Sequence, residues 1–234
     1  VLDEPTLIRA RTLSNGQWSA LEEAHFYIDT PLRITELMYH PAPPPEGSPW
    51  SEGDFEFLAL ANTATATVEL AGLSIEGGVR FDFSTGAVER LVPGQVVVLV
   101  RNLQAFASRY DVGRILIAGE YDGRLANDTE PLRLVGALGE KILDFEYSDT
   151  WFPETDGEGR SLVITDILAE RSAWNDSESW APSPELLGSP GVHALGLPPG
   201  AGGLLYPRAA PSWVVTLVGA PEGARAGGGG GAGH

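Results

Sequence analysis

No apolar segment of this chain runs far before a proline, glycine or asparagine interrupts it, and that interruption limits what the chain can fold into. RITELMYHP (33–41) ends on Pro41, and DFEFLALAN (54–62) closes on Asn62. VVVLV (96–100) is set between the Pro93-Gly94 turn and Asn102. Each run is short and rich in Ile, Leu, Val, Phe or Tyr, which reads as strand. Glycine (29) and proline (18) together make up about a fifth of the 234 residues. Short strands separated by that many turn residues imply an all-β architecture and argue against a helical bundle.

A hydrophobic content of 43% supplies an ordinary core. The net charge is −17, and residues 193–234 carry Arg208 and Arg225 against Glu222, so residues 1–192 carry −18. Lys141 is the single lysine. A surface this negative repels phosphate backbones, so no nucleic-acid partner of the usual electrostatic kind is expected. The acid excess is read first as solubility and second as attraction for divalent cations or basic partners. With no cysteine, disulfides, thiolate metal sites and thiol catalysis are excluded. No run of about 18 apolar residues is present, so no membrane-spanning helix is expected. The chain starts at Val1 without a signal-peptide pattern, which suggests an internal piece of a longer protein.

Taken in order, TLIRART (6–12) and EEAHFYI (22–28) flank SNGQWS (14–19), whose Asn15-Gly16 is the strongest hairpin signal in the chain. APPPEGSPWSEG (42–53) is a long proline-rich loop in which Trp50 is expected to cap the sandwich end rather than stand as an exposed contact. Val68 to Ile75 reads as one strand bent at Ala71-Gly72. Val79, Phe81 and Phe83 alternate with polar residues, as in a strand with one wet face. Val96 to Val100 reads as a central strand, buried on both sides or covered on its outer face by the next segment of chain. That segment reads as a helix of about two turns, capped by Asn102, with Leu103, Phe106, Ala107 and Tyr110 on one face. It is expected to close one end of the sandwich. Strands are further expected at 115–118, 132–135, 142–147 and 161–164, giving about nine, with Leu60 and Val98 buried. Residues 165–192 are expected to cross the surface, anchored by Trp174 and Trp180. LPPGAGG (197–203) and AGGGGGAGH (226–234) are linker-like, and SWVVTLVGA (212–220) is a strand of the fold or of a following domain.

Chemical motifs are sparse. GRSLV (159–163) lacks the second glycine of a nucleophile elbow, and no P-loop, dinucleotide or HExxH pattern occurs. His25, His40, His193 and His234 lie far apart, without metal-ligand spacing. No catalytic residue is therefore assigned. Two acidic loops are the candidate metal sites. ETDGEG (154–159) offers Glu154, Asp156 and Glu158 around Gly157, like half a calcium loop without the bidentate twelfth-position Glu. DGRLANDTE (122–130) offers Asp122, Asp128 and Glu130. Solvated Asp-Gly turns are the simpler reading of both. A carboxylate pair for glycoside hydrolysis cannot be chosen from sequence. Asn127-Asp128-Thr129 and Asn175-Asp176-Ser177 match the N-glycosylation tripeptide.

DFEFLALAN, with its acid, aromatic, alternating leucines and closing asparagine, resembles the lamin tail domain in its bacterial form. The resemblance continues in order through VELAGLSIEGG (68–78), FDFSTGAVERLVPGQVVVLV (81–100), NLQAFASRYDV (102–112), GEYDGRLANDTEPLRLV (119–135), ILDFEY (142–147), ETDGEGRSLVI (154–164), WAPS (180–183) and GSPG (188–191). It spans residues 33–192 and implies an immunoglobulin-like β-sandwich with one short helix and a Gly/Pro-rich tail. Residues 1–29 resemble the end of the fibronectin-III-like module at the C-terminus of chitobiase-type hexosaminidases, and residues 193–234 read as a linker or the start of a following domain. The lamin-tail resemblance implies a non-catalytic binding or spacer module of a large secreted or surface-attached bacterial protein. Its partners would be neighbouring domains and a protein or cell-surface ligand. The alternative is a calcium-assisted substrate-binding accessory domain of a hydrolase, a nuclease or a spore-coat-protein-H-like kinase. An enzyme in its own right comes third.

Overall fold

The computed structural model describes residues 6–26 and 30–192, which belong to two compact units. The strand expected at 212–220, both linker-like stretches, His193 and His234 lie outside the described residues.

In the first unit, β1 (Thr6–Ala10) pairs antiparallel with β4 (Glu22–Phe26), and β2 (Leu13–Ser14) with β3 (Gln17–Trp18). Asn15 and Gly16 both take positive φ, 49° and 77°. That is the tight hairpin turn whose twist matches its strands, as Asn-Gly predicts.

The second unit is an all-β sandwich with one short helix. Its first strands are β5 (Leu32–Met38), β6 (Phe57–Asn62), β7 (Val68–Glu69), β8 (Ser74–Gly77), β9 (Val79–Asp82), β10 (Arg90–Leu91) and β11 (Val96–Val100). After the helix α1 (Leu103–Arg109) come β12 (Ile117–Glu120), β13 (Asp122–Gly123), β14 (Thr129–Val135), β15 (Lys141–Ser148), β16 (Leu162–Ile164) and β17 (Trp180–Pro182). One sheet has the order β12-β11-β6-β5-β16-β17, the other β13-β9-β8-β14-β15, with β7 and β10 forming a small pair. Among the strands described, all pairings are antiparallel except β11 with β12.

Strands outnumber the expected nine partly because the 68–75 run is two strands in different sheets. Gly72, at φ 81°, turns the chain between β7 and β8. A Cβ there would lie 2.7 Å from the Ala137 Cβ, so glycine is needed for space as well as for φ.

The core lies between the sheets. Leu58, Leu60, Val97 and Leu99 meet Ile75, Phe81, Leu132, Leu134, Leu143 and Phe145 across it. The closing asparagine of β6 is a staple. Fully buried Asn62 donates from Nδ2 to the carbonyls of Ala66 (2.9 Å) and Leu91 (2.8 Å), and its Oδ1 accepts from the Ala64 amide (2.8 Å). The expected alternation holds in β9 and β15, where Val79, Phe81, Leu143, Phe145 and Tyr147 are buried while Arg80, Asp82, Asp144 and Glu146 are exposed.

Leu60 and Val98 are both fully buried, facing opposite ways. Val98 joins Met38, Phe57, Ala59, Ala61, Val96 and Val100 on the outer face of the six-stranded sheet, where Phe106 of α1 covers them. The helix therefore lies over a sheet face instead of closing an end. Asn102 caps it as expected, its Oδ1 accepting from the amides of Gln104 (3.1 Å) and Ala105 (3.0 Å). The buried helical residues are Ala105 and Phe106; Leu103 and Ala107 are exposed. The sheet face that the helix meets directly after β11 decides which of its residues are buried, and the spacing of apolar residues does not.

Residues 165–192 do more than cross the surface. β17 is an edge strand, and both tryptophans are buried. Trp174 Nε1 donates to the Ile34 carbonyl (2.8 Å) and Trp180 Nε1 to the Trp174 carbonyl (3.0 Å).

Because Leu60 is enclosed by both sheets, Leu60→Ala is expected to cost about 2–5 kcal/mol in denaturant unfolding. A loss within experimental error would place its side chain outside the core.

Candidate functional site: two concave surfaces beside the proline-rich loop

The acidic loops do not gather their carboxylates. Glu154, Asp156 and Glu158 do not converge: the Asp156 carboxylate turns to His40 Nδ1, at 2.6 Å, and the Gly157 amide donates to the His40 carbonyl at 3.2 Å. Asp122 lies in β13 opposite Arg80, and Asp128 is exposed. Glu130 is half-buried, its Oε2 accepting from the Ala126 amide (3.0 Å) and the Tyr147 hydroxyl (3.2 Å). Burial pushes its carboxyl upward. Among the described residues, no three histidines or acids converge with metal-holding geometry.

The loops do border one small cleft of about 230 Å³. His40 brings Asp156 to its edge, and the 122–130 loop supplies Arg124 and Asn127. The opposite wall is Glu52, Glu56 and Arg101, with His40 Nε2 3.7 Å from Glu52 Oε1.

Glu56 stands at 2% exposure. Its Oε1 accepts from Arg101 (2.7 Å), and its Oε2 from the Leu125 amide (2.8 Å) and the Tyr121 hydroxyl (3.2 Å). Burial raises its pKa, opposed by the Leu125 amide and by Arg101. This carboxylate joins three segments, and no motif in the sequence announces it. The only local signal is an acid set between two phenylalanines, Phe55 and Phe57.

On the other side of the 41–55 loop lies an apolar groove of about 580 Å³, walled by Pro43, Pro45, Pro49, Trp50, Phe55 and Leu187. Asp54 fixes the loop's end, accepting from the Ser51 amide (2.8 Å) and hydroxyl (2.7 Å), and these bonds hold its carboxyl below the usual range. Phe55 is buried, and the Arg109 guanidinium stacks on its ring with 3.6 Å from Cζ to the centroid. Arg109 Nη2 also donates to the Ala42 carbonyl at 3.1 Å, joining α1 to the loop. Trp50 is half-buried in this wall, so it neither caps the sandwich end fully nor stands free.

Leu187 belongs to a strap, residues 185–192, laid beside α1. The Tyr110 hydroxyl donates to the Leu187 carbonyl (2.7 Å), and the Ser189 amide to the carboxylate of Glu36 on β5 (2.7 Å).

Glu56→Ala strands the Leu125 amide and the Tyr121 hydroxyl and leaves Arg101 without its partner, so a loss of about 3–5 kcal/mol is expected in urea unfolding. Millimolar calcium is expected to raise the unfolding temperature no more than magnesium or sodium chloride of matched ionic strength, with Asp156→Asn and Asp128→Asn behaving alike. A calcium-specific rise lost in either variant would identify a true site.

With this geometry in place, no protein-family model, curated protein or solved structure matches the chain.

Proposed function

We propose that residues 33–192 are a non-catalytic binding or spacer module of the lamin-tail type, carried by a larger secreted or surface-attached bacterial protein. Residues 1–29 are then the end of a preceding module. The apolar groove carries the proposal. It is a concave strip of proline and aromatic side chains on a body that is otherwise strongly acidic, bordered on three sides by the loop, α1 and the strap. Aromatic anchors in such grooves supply much of the binding energy of peptide and protein ligands.

Three of the charged groups nearby are engaged in holding the fold. Glu56 binds Arg101, Tyr121 and Leu125, Asp156 binds His40, and Arg109 lies flat on Phe55. This division of labour supports recognition by the groove, with the polar cleft serving as its scaffold. Binding without chemistry is also what a domain repeated along a surface protein would supply.

Isotope-labelled protein titrated with indole and with a decaproline peptide tests the reading. Amide and indole shifts are expected to cluster at Trp50, Phe55 and Ser108. Trp50→Ala is expected to weaken binding by about 2 kcal/mol while changing folding stability by less than about 1 kcal/mol. Shifts centred on His40 and Arg124, or turnover of a bound probe, would overturn the reading.

A further inference from the structure

Glu36 is the most deeply buried acid in the sandwich, at 1% exposure, and it sits under the strap. From β5 its carboxylate reaches three donors. The Ser161 hydroxyl lies 2.5 Å from Oε1, the Ser189 amide 2.7 Å from Oε1, and the Ser189 hydroxyl 3.1 Å from Oε2. Two of these bonds come from the strap itself. Gly188 passes so close that a Cβ there would lie 2.6 Å from Glu36 Oε1, 2.8 Å from Ser161 Oγ and 3.1 Å from the Phe57 ring. Leu187, which carries the groove wall, has a φ of 70°, in a region a leucine rarely occupies. The docked strap thus holds its own backbone under strain, offset by the bonds at Glu36 together with those from the Leu187 amide to the Gly159 carbonyl and from the Tyr110 hydroxyl to the Leu187 carbonyl.

We propose that residues 185–192 form a releasable strap whose docking on Glu36 sets the wall of the apolar groove, closed over the protonated carboxyl and loosened when that carboxyl is charged. The proposal rests on the reading of the groove as the binding face and adds its regulation.

The electrostatics give the direction. Burial outweighs the hydrogen bonds from Ser161 and Ser189 and pushes the Glu36 carboxyl up from 4.5 to about 7. The groups facing it are Glu185 of the strap, Ser161 beside β16, Ser189, and the Tyr110 phenol beyond α1 with Arg109 next to it. Glu185 repels a charged Glu36 and so favours release. Burial also drives the Tyr110 phenol upward, so it stays neutral throughout the range in question. With the strap lifted, the carboxyl meets water and its pKa falls back toward the ordinary value. The docked state therefore holds its proton to higher pH than the lifted state. Between those two values rising pH favours lifting, by a factor of up to about 300 for a shift of this size.

Hydrogen-exchange protection of the Leu187 and Ser189 amides, compared with Val98 in the core, reads the strap without any ligand. Between about pH 4.5 and 7.5 both strap amides are expected to lose roughly two orders of magnitude of protection while Val98 keeps its own. Glu36→Gln, which stays neutral, is expected to hold strap protection constant across that range. The Glu36 carboxyl carbon in the unmodified protein is expected to titrate near 7, which reads the same property without a variant. Equal strap protection at both pH values, an unchanged loss in Glu36→Gln, or a carbon titrating near the ordinary 4.5 would overturn the proposal. A responsive strap in a protein whose Trp50 groove takes up neither probe supports the strap and overturns only the binding reading.

Discussion

The central strands β5 and β6 have no wet face. Every residue of Leu32–Met38 and Phe57–Asn62 is buried. A strand in that position must pair its backbone on both edges, because an unpaired amide or carbonyl away from water costs about as much as a lost hydrogen bond. It must also be covered on both faces. The first demand puts β11 and β16 on either side of the pair. The second brings the five-stranded sheet onto one face, and α1 with the strap onto the other. The groove lies among the elements recruited to cover that outer face, so the candidate binding surface is a by-product of burying β5 and β6 completely.

Two acids inside this arrangement connect what apolar packing alone would leave loose. Glu56 joins the end of the proline-rich loop to Arg101 after β11 and to Leu125 before β14. Glu36 joins β5 to β16 and the strap. Burying a carboxylate is costly unless its oxygens find donors, and both acids have three. The cost still shows as a raised pKa in each case. A chain with so many acids thus uses two of them as internal ties. In the 154–159 loop, more suggestive to the eye, Asp156 is held by a single histidine.

The sheet edges are managed by local devices. Asn175 lies against the free edge of β15, its Oδ1 accepting from the Glu146 amide (3.1 Å) and its Nδ2 donating to the Asp144 carbonyl (3.3 Å), as a neighbouring strand would. The side chain of the asparagine of the 175–177 tripeptide is thus occupied at the sheet edge. At the other sheet's edge the Ala87 amide caps the Ala118 carbonyl at 2.7 Å. Blunted edges keep a sandwich from pairing with copies of itself.

The sequence by itself determined the fold class, the hairpin turn at Asn15-Gly16, the alternation of β9 and β15, the burial of Val96 to Val100 and the cap at Asn102. Each depends on residues adjacent in the chain: turn chemistry, a two-residue period, or a side chain reaching its own helix's first amides. Tertiary structure alone decided where the helix lies, because its rotation follows from the strand it leaves and the sheet face it meets. It decided that the 68–75 run divides between two sheets, since β7 pairs with β10 while β8 lies between β9 and β14. It also decided the site. Glu36 meets Ser189 across 153 positions and Glu56 meets Leu125 across 69. An acid buried by such distant partners looks, in sequence, like any polar residue on the wet side of a strand. The groove is assembled in the same way, from a loop, a helix and a strap that only the packing of the sandwich brings together.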